Sequence, residues 1–576
     1  MPSKKKTKRA KPLKKEPPAK SSQLPEPGSD EYREMQRRLG KLREALEKER
    51  FKVTEPLADG FKKSLNRVRM LPNGDVDLGT VDSRIRGAAM MVTWHADRAE
   101  IKEKNPLKEI QRLYFEYIYR NFGEYHKIAV QRGLTPHQAG LAASNSQESR
   151  DHFTKVVPKF LESIKEVWSY VNDATAYHLE DLSGLKGVFG GDILPSYTHN
   201  IASSSGLYLD TILLPDPFLR MGPLFSRWND HDRAYYFMKH AMNLLNYREL
   251  ALADVEPPIV AVIPDGLFYD PQQSKLVMSL GEADGTAHAS ALFGRKFGSF
   301  DEVVDFTAKL KSTDELVAAV KAPERLLFDT EWTGTLAEQI ERHRTGPMAK
   351  VGMDVPVGRM VAMQCSSRMA QANDMLVRCQ RFRGVPLVDA PTSWRYLTWK
   401  LEYDNRKMHG LDAQATQVVA GLQAAVAGEM QWLGNIPPAA LIELRTTGAI
   451  DEIRKILRDG IGDLATMDEA AFKRGANGVV ANLQRAVGSH EEALAKLRAK
   501  KWKFAGKDVG SWVAIGTVEV AAAATGAPLF GLGAFLANQV IEVPKLKELI
   551  PTAKALKQEM ETLKRSPVGL LFAHKQ

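Results

Sequence analysis

Leu107-Lys-Glu-Ile110-Gln-Arg-Leu-Tyr114-Phe-Glu-Tyr117-Ile118-Tyr-Arg-Asn-Phe122 sets apolar side chains at 107, 110, 114, 117, 118 and 122. That is the i, i+3, i+4, i+7 spacing that brings them onto one side of an α-helix. Phe153, Val157, Phe160, Leu161, Ile164 and Val167 repeat the pattern downstream. The aromatic run Tyr114, Phe115, Tyr117, Tyr119, Phe122 and Tyr125 falls inside this periodicity, so it reads as packed core rather than as a platform for stacked bases. Start signals agree. Thr135-Pro136-His137-Gln138 puts proline at the first helical position, and Ser299…Glu302, Ser312…Glu315, Thr466…Glu469 and Ser489…Glu492 fit the reciprocal capping box. The fold predicted is mainly α.

Working outward, one region carries a strand signal. Pro257-Pro258 leads into Ile259-Val-Ala-Val-Ile263, Pro264-Asp-Gly follows, and Leu276-Val-Met-Ser-Leu280 is a second β-prone run, so a small β element is expected near 258–280. Nearer the start, Tyr32, Met35, Leu39, Leu42 and Leu46 form one apolar seam on a charged helix. Two heptads favour docking on the chain's own body over self-association through 32–46. Leu71-Pro-Asn-Gly-Asp75 predicts a turn with a small hairpin. The layout expected is a disordered basic tail (1–30), an N-terminal helical domain (31–250) with an ordered loop (183–223), a small mixed α/β insert (251–330), a second helical domain (331–505) and a C-terminal hydrophobic helical hairpin with an amphipathic helix (506–576).

Among 576 residues, 44% are hydrophobic and 26% charged, a globular composition that excludes wholesale disorder and a polytopic membrane protein. Two cysteines, Cys365 and Cys379, cannot staple a chain of this length, which points to a reducing, cytoplasmic setting and to buried thiols. The net charge of +10 is uneven: nine of the 80 Lys and Arg but only three of the 70 Asp and Glu fall within residues 1–30. Lys4, Lys5, Lys6, Lys8, Arg9, Lys11, Lys14 and Lys15, in a segment that runs on to Lys20, suit contact with nucleic-acid phosphates or an anionic membrane. The alternative is a solubilising extension. No apolar stretch follows the charges, so the segment does not read as a secretory signal.

The first place to look for chemistry is the connection at 183–223, rich in Gly and Pro and too apolar for disorder. His199 lies before the adjacent His231-Asp232 pair, Asp210 stands between them, and Asp254, Asp265 or Asp270 offers a further carboxylate. Imidazole and carboxylate oxygens of this kind hold a divalent metal, which lowers the pKa of a bound water. The order is similar to the H…HD…D pattern of the HD-domain phosphohydrolases, and that resemblance implies a divalent-metal cofactor on His199, His231, Asp232 and Asp210. The competing reading makes Asp232 first-turn charge and His231 a surface residue. Ala202-Ser-Ser204-Ser-Gly206 resembles a nucleophile elbow around Ser204, although an elbow needs a strand before it and a helix after it. Phosphate-loop, dinucleotide and zinc signatures are missing from the sequence.

Between Glu519 and Glu542 run 22 uncharged residues. Gly526 and Pro528 divide the block into arms near 511–524 and 529–543, each short for a membrane crossing, with lysines flanking both ends. A helical hairpin is expected. It is similar to the hydrophobic hairpin of colicin-type pore formers, which implies membrane association on activation, whereas Glu519, Asn538 and Gln539 favour burial inside the chain. The function these readings favour is a soluble helical binding or adaptor protein that recognises a macromolecular partner, most simply another protein. The alternatives are a membrane-active effector of the toxin or antiviral-defence type and an HD-type metal-dependent phosphohydrolase.

Overall fold

Helix formation at Asp30 follows from Ser29, which sits in extended backbone and accepts the Tyr32 amide on its hydroxyl, with Asp30 and Glu31 at the positive end of the helix dipole. The computed structural model describes residues 24–517 except 56, 196, 198–199, 266–270, 330–331, 347–355, 389, 408–428 and 466–475. The chain divides into two compact units, residues 1–104 and 105–576. In the first, α1 (Asp30–Glu47), α2 (Ala58–Leu65) and α3 (Ser83–Lys104) bury Tyr32, Leu39, Leu42, Phe61, Ile85 and Ala89 in one cluster. The seam along 32–46 is therefore covered by helices of its own unit. Gly74, at φ +87°, turns the chain between α2 and α3, and Met70 bridges Val76 in the small turn that residues 71–78 predict.

In the second unit, α4 (Leu107–Gln131), α5 (Pro136–Asn145) and α6 (Gln147–Asp181) precede the first strand. Ile110, Tyr114, Ile118 and Phe122 of α4 are buried as their spacing predicts, and the reciprocal box of Thr135 and Gln138 caps α5. A parallel sheet follows: β1 (Lys186–Phe189), α7 (Ile201–Ser205), β2 (Thr211–Pro215), α8 (Pro217–Phe225), α9 (Asp230–Leu245), α10 (Arg248–Leu252) and β3 (Val260–Ile263). The chain then forms α11 (Pro271–Phe293), α12 (Phe300–Thr307), α13 (Thr313–Ala319), α14 (Leu336–Arg344) and α15 (Val357–Phe382) before returning as β4 (Gly384–Leu387). All strand pairings are parallel, in the order β3-β2-β1-β4, with Lys186 opposite both Thr211 and Gly384 and Ile212 opposite Val260. Val188, Leu213 and Ala261 pack on Leu179 of α6, Met375 and Cys379 of α15, and Trp394 and Leu397 of α16 (Pro391–Lys407).

Two side chains finish what the strands leave open. β3 is an edge, and the buried Gln111 amide of α4 donates to Val262 O (3.0 Å) while accepting from Val262 N (2.8 Å), pairing the backbone groups that an edge strand exposes. Lys186, 2% exposed, donates its Nζ to Leu179 O and Leu182 O, both at 2.9 Å, at the negative end of α6.

The fold is mainly α with small sheets, as the periodicity predicts, and residues 260–263 are a strand. Three expectations change. Residues 276–280 lie inside α11, because Gly281, Asp284 and Gly285 continue a helical face against Ala370, Asn373 and Ser366 of α15. The connection expected as a loop at 183–223 holds β1, α7, β2 and the start of α8. The segments expected to be separate domains at 31–250, 251–330 and 331–505 each contribute strands to one sheet. Ser489…Glu492 falls within α19 (Ala476–Ala499), which follows β5 (Glu429–Leu433), α17 (Pro438–Thr447) and α18 (Ala449–Ala465), so it caps nothing there. A box that was not anticipated, Thr335 with Glu338, opens α14. Thr466…Glu469 lies outside the described residues.

Beyond α19 come the short hairpin of β6 (Lys503–Phe504) and β7 (Lys507–Asp508), then β8 (Val513–Thr517), which pairs antiparallel with β5 from Leu433↔Val513 to Glu429↔Thr517. Of the expected 511–524 helical arm, Ser511 and Trp512 end a short 3₁₀ helix (Val509–Trp512) and 513–517 are extended. The rest of the hairpin, from 518, lies outside the described residues. Among the described residues no helix is long and apolar enough to cross a membrane.

Phe237 of α9 is fully buried, with the rings of Phe122, Phe153, Phe160, Phe218 and Phe225 at centroid distances from 5.0 to 5.6 Å. Phe237→Ala is expected to cost about 3–5 kcal/mol in denaturant unfolding. Tyr125→Ala, at an exposed position of the same aromatic run, is expected to stay within about 0.5 kcal/mol.

A candidate ligand crevice at the carboxyl edge of the sheet

Parallel strands bring their carboxyl ends to one edge, and ligand crevices in open α/β sheets lie there, where the strand order reverses. Here the reversal falls between β1 and β4: β2 and β3 lie to one side of β1, and β4 joins on the other. Each strand leaves the sheet through a short run ending in aspartate: Phe189-Gly-Gly-Asp192, Leu214-Pro-Asp216, Ile263-Pro-Asp265 and Leu387-Val-Asp389. Asp389 lies outside the described residues.

The glycines after β1 are demanded by space. Gly191 holds φ +99°, and a Cβ there would meet Ser393 Cβ at 3.1 Å and Val388 Cγ1 at 3.2 Å; one on Gly190 would meet Arg378 Nη2 at 2.7 Å. Ser393, in the first turn of α16, donates to Gly191 O at 2.8 Å. A small hollow remains between Gly191, Val388, Ser393 and the α15 side chains Arg368, Gln371 and Met375. Arg368 reaches it with long contacts only, 3.4 Å to Ser393 Oγ, 3.5 Å to Gln371 Oε1 and 3.7 Å to Asp192 Oδ1, while its Nη2 is anchored on Phe328 O at 3.1 Å. A guanidinium and the amino end of a 17-residue helix thus face one small space, a combination that favours an anion.

Beneath the crevice the charges are committed. Arg220 donates to Asp265 Oδ2 (2.5 Å) and Asp192 O (2.8 Å), and Arg378 pairs with Asp374 at 2.6 Å while donating to Phe189 O at 3.3 Å. All four side chains of these two ion pairs are under 10% exposed, so removing one partner would strand a buried charge. Asp216 caps α8 by accepting from Phe218 N (2.8 Å) and Leu219 N (3.3 Å), and also accepts from Trp168 Nε1 at 2.6 Å. Burial outweighs these donors and pushes its carboxyl up to about 6.

The residues singled out in the sequence are placed as follows. Asp210 lies at the opposite, amino edge: it accepts from Leu185 N at 2.6 Å and pairs with Arg454. Burial there favours the neutral acid, but Arg454 and the Leu185 amide prevail and hold its carboxyl below the usual range. His231 and Asp232 occupy the first turn of α9, Asp232 exchanging hydrogen bonds with Asn229 at 2.8 and 3.0 Å and His231 half exposed 3.5 Å from it. Asp254 pairs with Lys108 at the surface, and Asp265 with Arg220. His199, Asp270 and the basic residues Lys4, Lys5, Lys6, Lys8, Arg9, Lys11, Lys14 and Lys15 lie outside the described residues. Among the described residues no group of three or more His, Cys, Asp and Glu is arranged to hold a metal ion.

Ser204 donates to Asn200 O at 3.3 Å within α7, a five-residue helix capped by Asn200. Burial pushes the thiols of Cys365 and Cys379, both on α15, up to about 12. Gly191, Arg368 and Ser393 were not anticipated. The recurring apolar-to-aspartate strand endings were the available signal. No family model matches this chain, and no curated protein or solved structure is found to be similar to it.

Asp216 sets a pH dependence of unusual sign. Its folded pKa of about 6 lies above the ordinary carboxylate value, so between about pH 4 and pH 6 the folded chain binds more protons than the unfolded one. This group's contribution is greatest below pH 4 and falls as pH rises through 6, by on the order of 2–3 kcal/mol. Asp216→Asn, which can still cap α8, is expected to flatten that part of the stability profile in denaturant titrations at pH 4, 5, 6 and 7.

Proposed function

We propose that the chain is a binding protein that takes a compact anion at the β1/β4 crevice and uses its helical body to recognise a macromolecular partner. The observation that carries the reading is Arg368 and the amino end of α16 facing one hollow across Gly191. The hollow is small, which suits a compact anion rather than a nucleotide. Of the nearby carboxylates, Asp265 and Asp374 are neutralised by buried arginines, and Asp192, 3.7 Å from Arg368, is the one an incoming anion has to displace. In the partner-facing half of the reading, the basic stretch from Lys4 to Lys20 adds affinity for a polyanion.

Thermal unfolding with inorganic phosphate, citrate or adenosine monophosphate tests the crevice. Phosphate is expected to raise Tm in a concentration-dependent way, and Arg368→Gln is expected to weaken it at least tenfold. A chain that no anion stabilises, or a variant that responds like the parent, would overturn the reading. For the basic segment, duplex-DNA affinity is expected to fall linearly on a log–log plot against salt and to vanish when residues 1–23 are removed; a flat salt response would exclude that role.

A further inference from the structure

A second hollow, open to solvent, lies at the end of β3, between α6 and α15. Its wall is divided by chemistry. Ile263, Val377 and Phe382 supply an apolar side, and Arg378, Arg381 and Asn172 supply a polar one. The two arginines differ. Arg378 is 3% exposed and held by Asp374 and Phe189 O. Arg381 is 42% exposed at its side chain, uses Nε on Glu180 Oε1 at 2.9 Å, and leaves both terminal nitrogens without a hydrogen-bond partner among the described residues. A guanidinium fork free at its outer end, set beside an aromatic ring and branched aliphatics, matches a carboxylate attached to a short hydrocarbon.

We propose that this hollow is a second ligand site, separate from the β1/β4 crevice, and that it takes a small amphiphilic monocarboxylate, its head on Arg381 and its tail along Ile263, Val377 and Phe382. Glu180 and Asp173 are the competing carboxylates. The ligand therefore has to gain from the tail as well as from the charge, and neither part alone binds well. The site is reached without disturbing the ion pairs around Asp374, because Arg381 is the outermost of the two cations.

Calorimetric titration of the full chain with hexanoate, acetate and 1-hexanol tests this. Hexanoate is expected to bind at least tenfold more tightly than either acetate, which lacks the tail, or hexanol, which lacks the charge. Arg381→Gln, at a half-exposed position where folding is checked by circular dichroism, is expected to lower hexanoate affinity at least tenfold, and Arg368→Gln to leave it unchanged. The proposal is overturned if hexanol binds as well as hexanoate, if Arg381→Gln binds like the parent, or if hexanoate does not bind. It is also overturned if Arg368→Gln removes hexanoate binding, a result that moves the carboxylate to the crevice and leaves the anion reading there standing.

Discussion

A parallel strand cannot reach its neighbour through a tight turn, so each of β1 to β4 has to be joined by a crossover that covers the sheet. Much of the second unit follows from that constraint. α7 connects β1 to β2, α8 to α10 connect β2 to β3, and the long excursion through α11 to α15 brings β4 to the free side of β1. Covering both faces makes the strands uniformly apolar, and Val188, Ile212, Leu213, Val260, Ala261 and Val262 are all fully buried. The helices can be long because the sheet is their floor: α6 runs for 35 residues and ends where Lys186 meets its last carbonyls.

The same constraint accounts for the charge inside the molecule. Where parallel strands end, backbone carbonyls run past the ladder and need donors. At the carboxyl edge Arg378 donates to Phe189 O and Arg220 to Asp192 O; at the amino edge Arg445 donates to Asp210 O and Pro257 O, and Arg454 to Leu207 O and Leu209 O. A buried guanidinium then needs a countercharge. Asp374 and Asp265 provide it at one edge, Asp210 at the other. The two edges differ in what is left over. At the amino edge Arg445 and Arg454 are both engaged with the backbone and with Asp210, while at the carboxyl edge Arg368 and Arg381 retain donor capacity beside open space.

Legibility in the sequence followed the range of the interaction. The helical faces at 107–122 and 153–167, the capping boxes at Thr135 and Ser312 and the turn at Gly74 are local and were readable. Strand β3 was readable because prolines frame it. Strands β1 and β4 were not, being four residues long and buried on both faces, so neither alternation nor length marked them. Asp210 drew attention as a carboxylate near a histidine pair; its actual partners, Arg445 and Arg454, come from helices more than two hundred positions away. The crevice is the extreme case. Ser393 and Gly191 meet across 202 positions, and nothing near either residue announces the other.

By itself the sequence determined the helical majority, the positions of several helix starts, the buried state of both cysteines and the packing of the 32–46 seam within its own surroundings, because spacing and capping act over one or two turns of chain. Only the tertiary structure decided that four scattered apolar runs are strands of one parallel sheet, which carboxylates are neutralised by arginine, and where open space remains beside a cation. Those outcomes depend on which segments become neighbours after crossovers of tens to more than a hundred residues, and that information is held in the joint burial of distant side chains rather than in any local pattern.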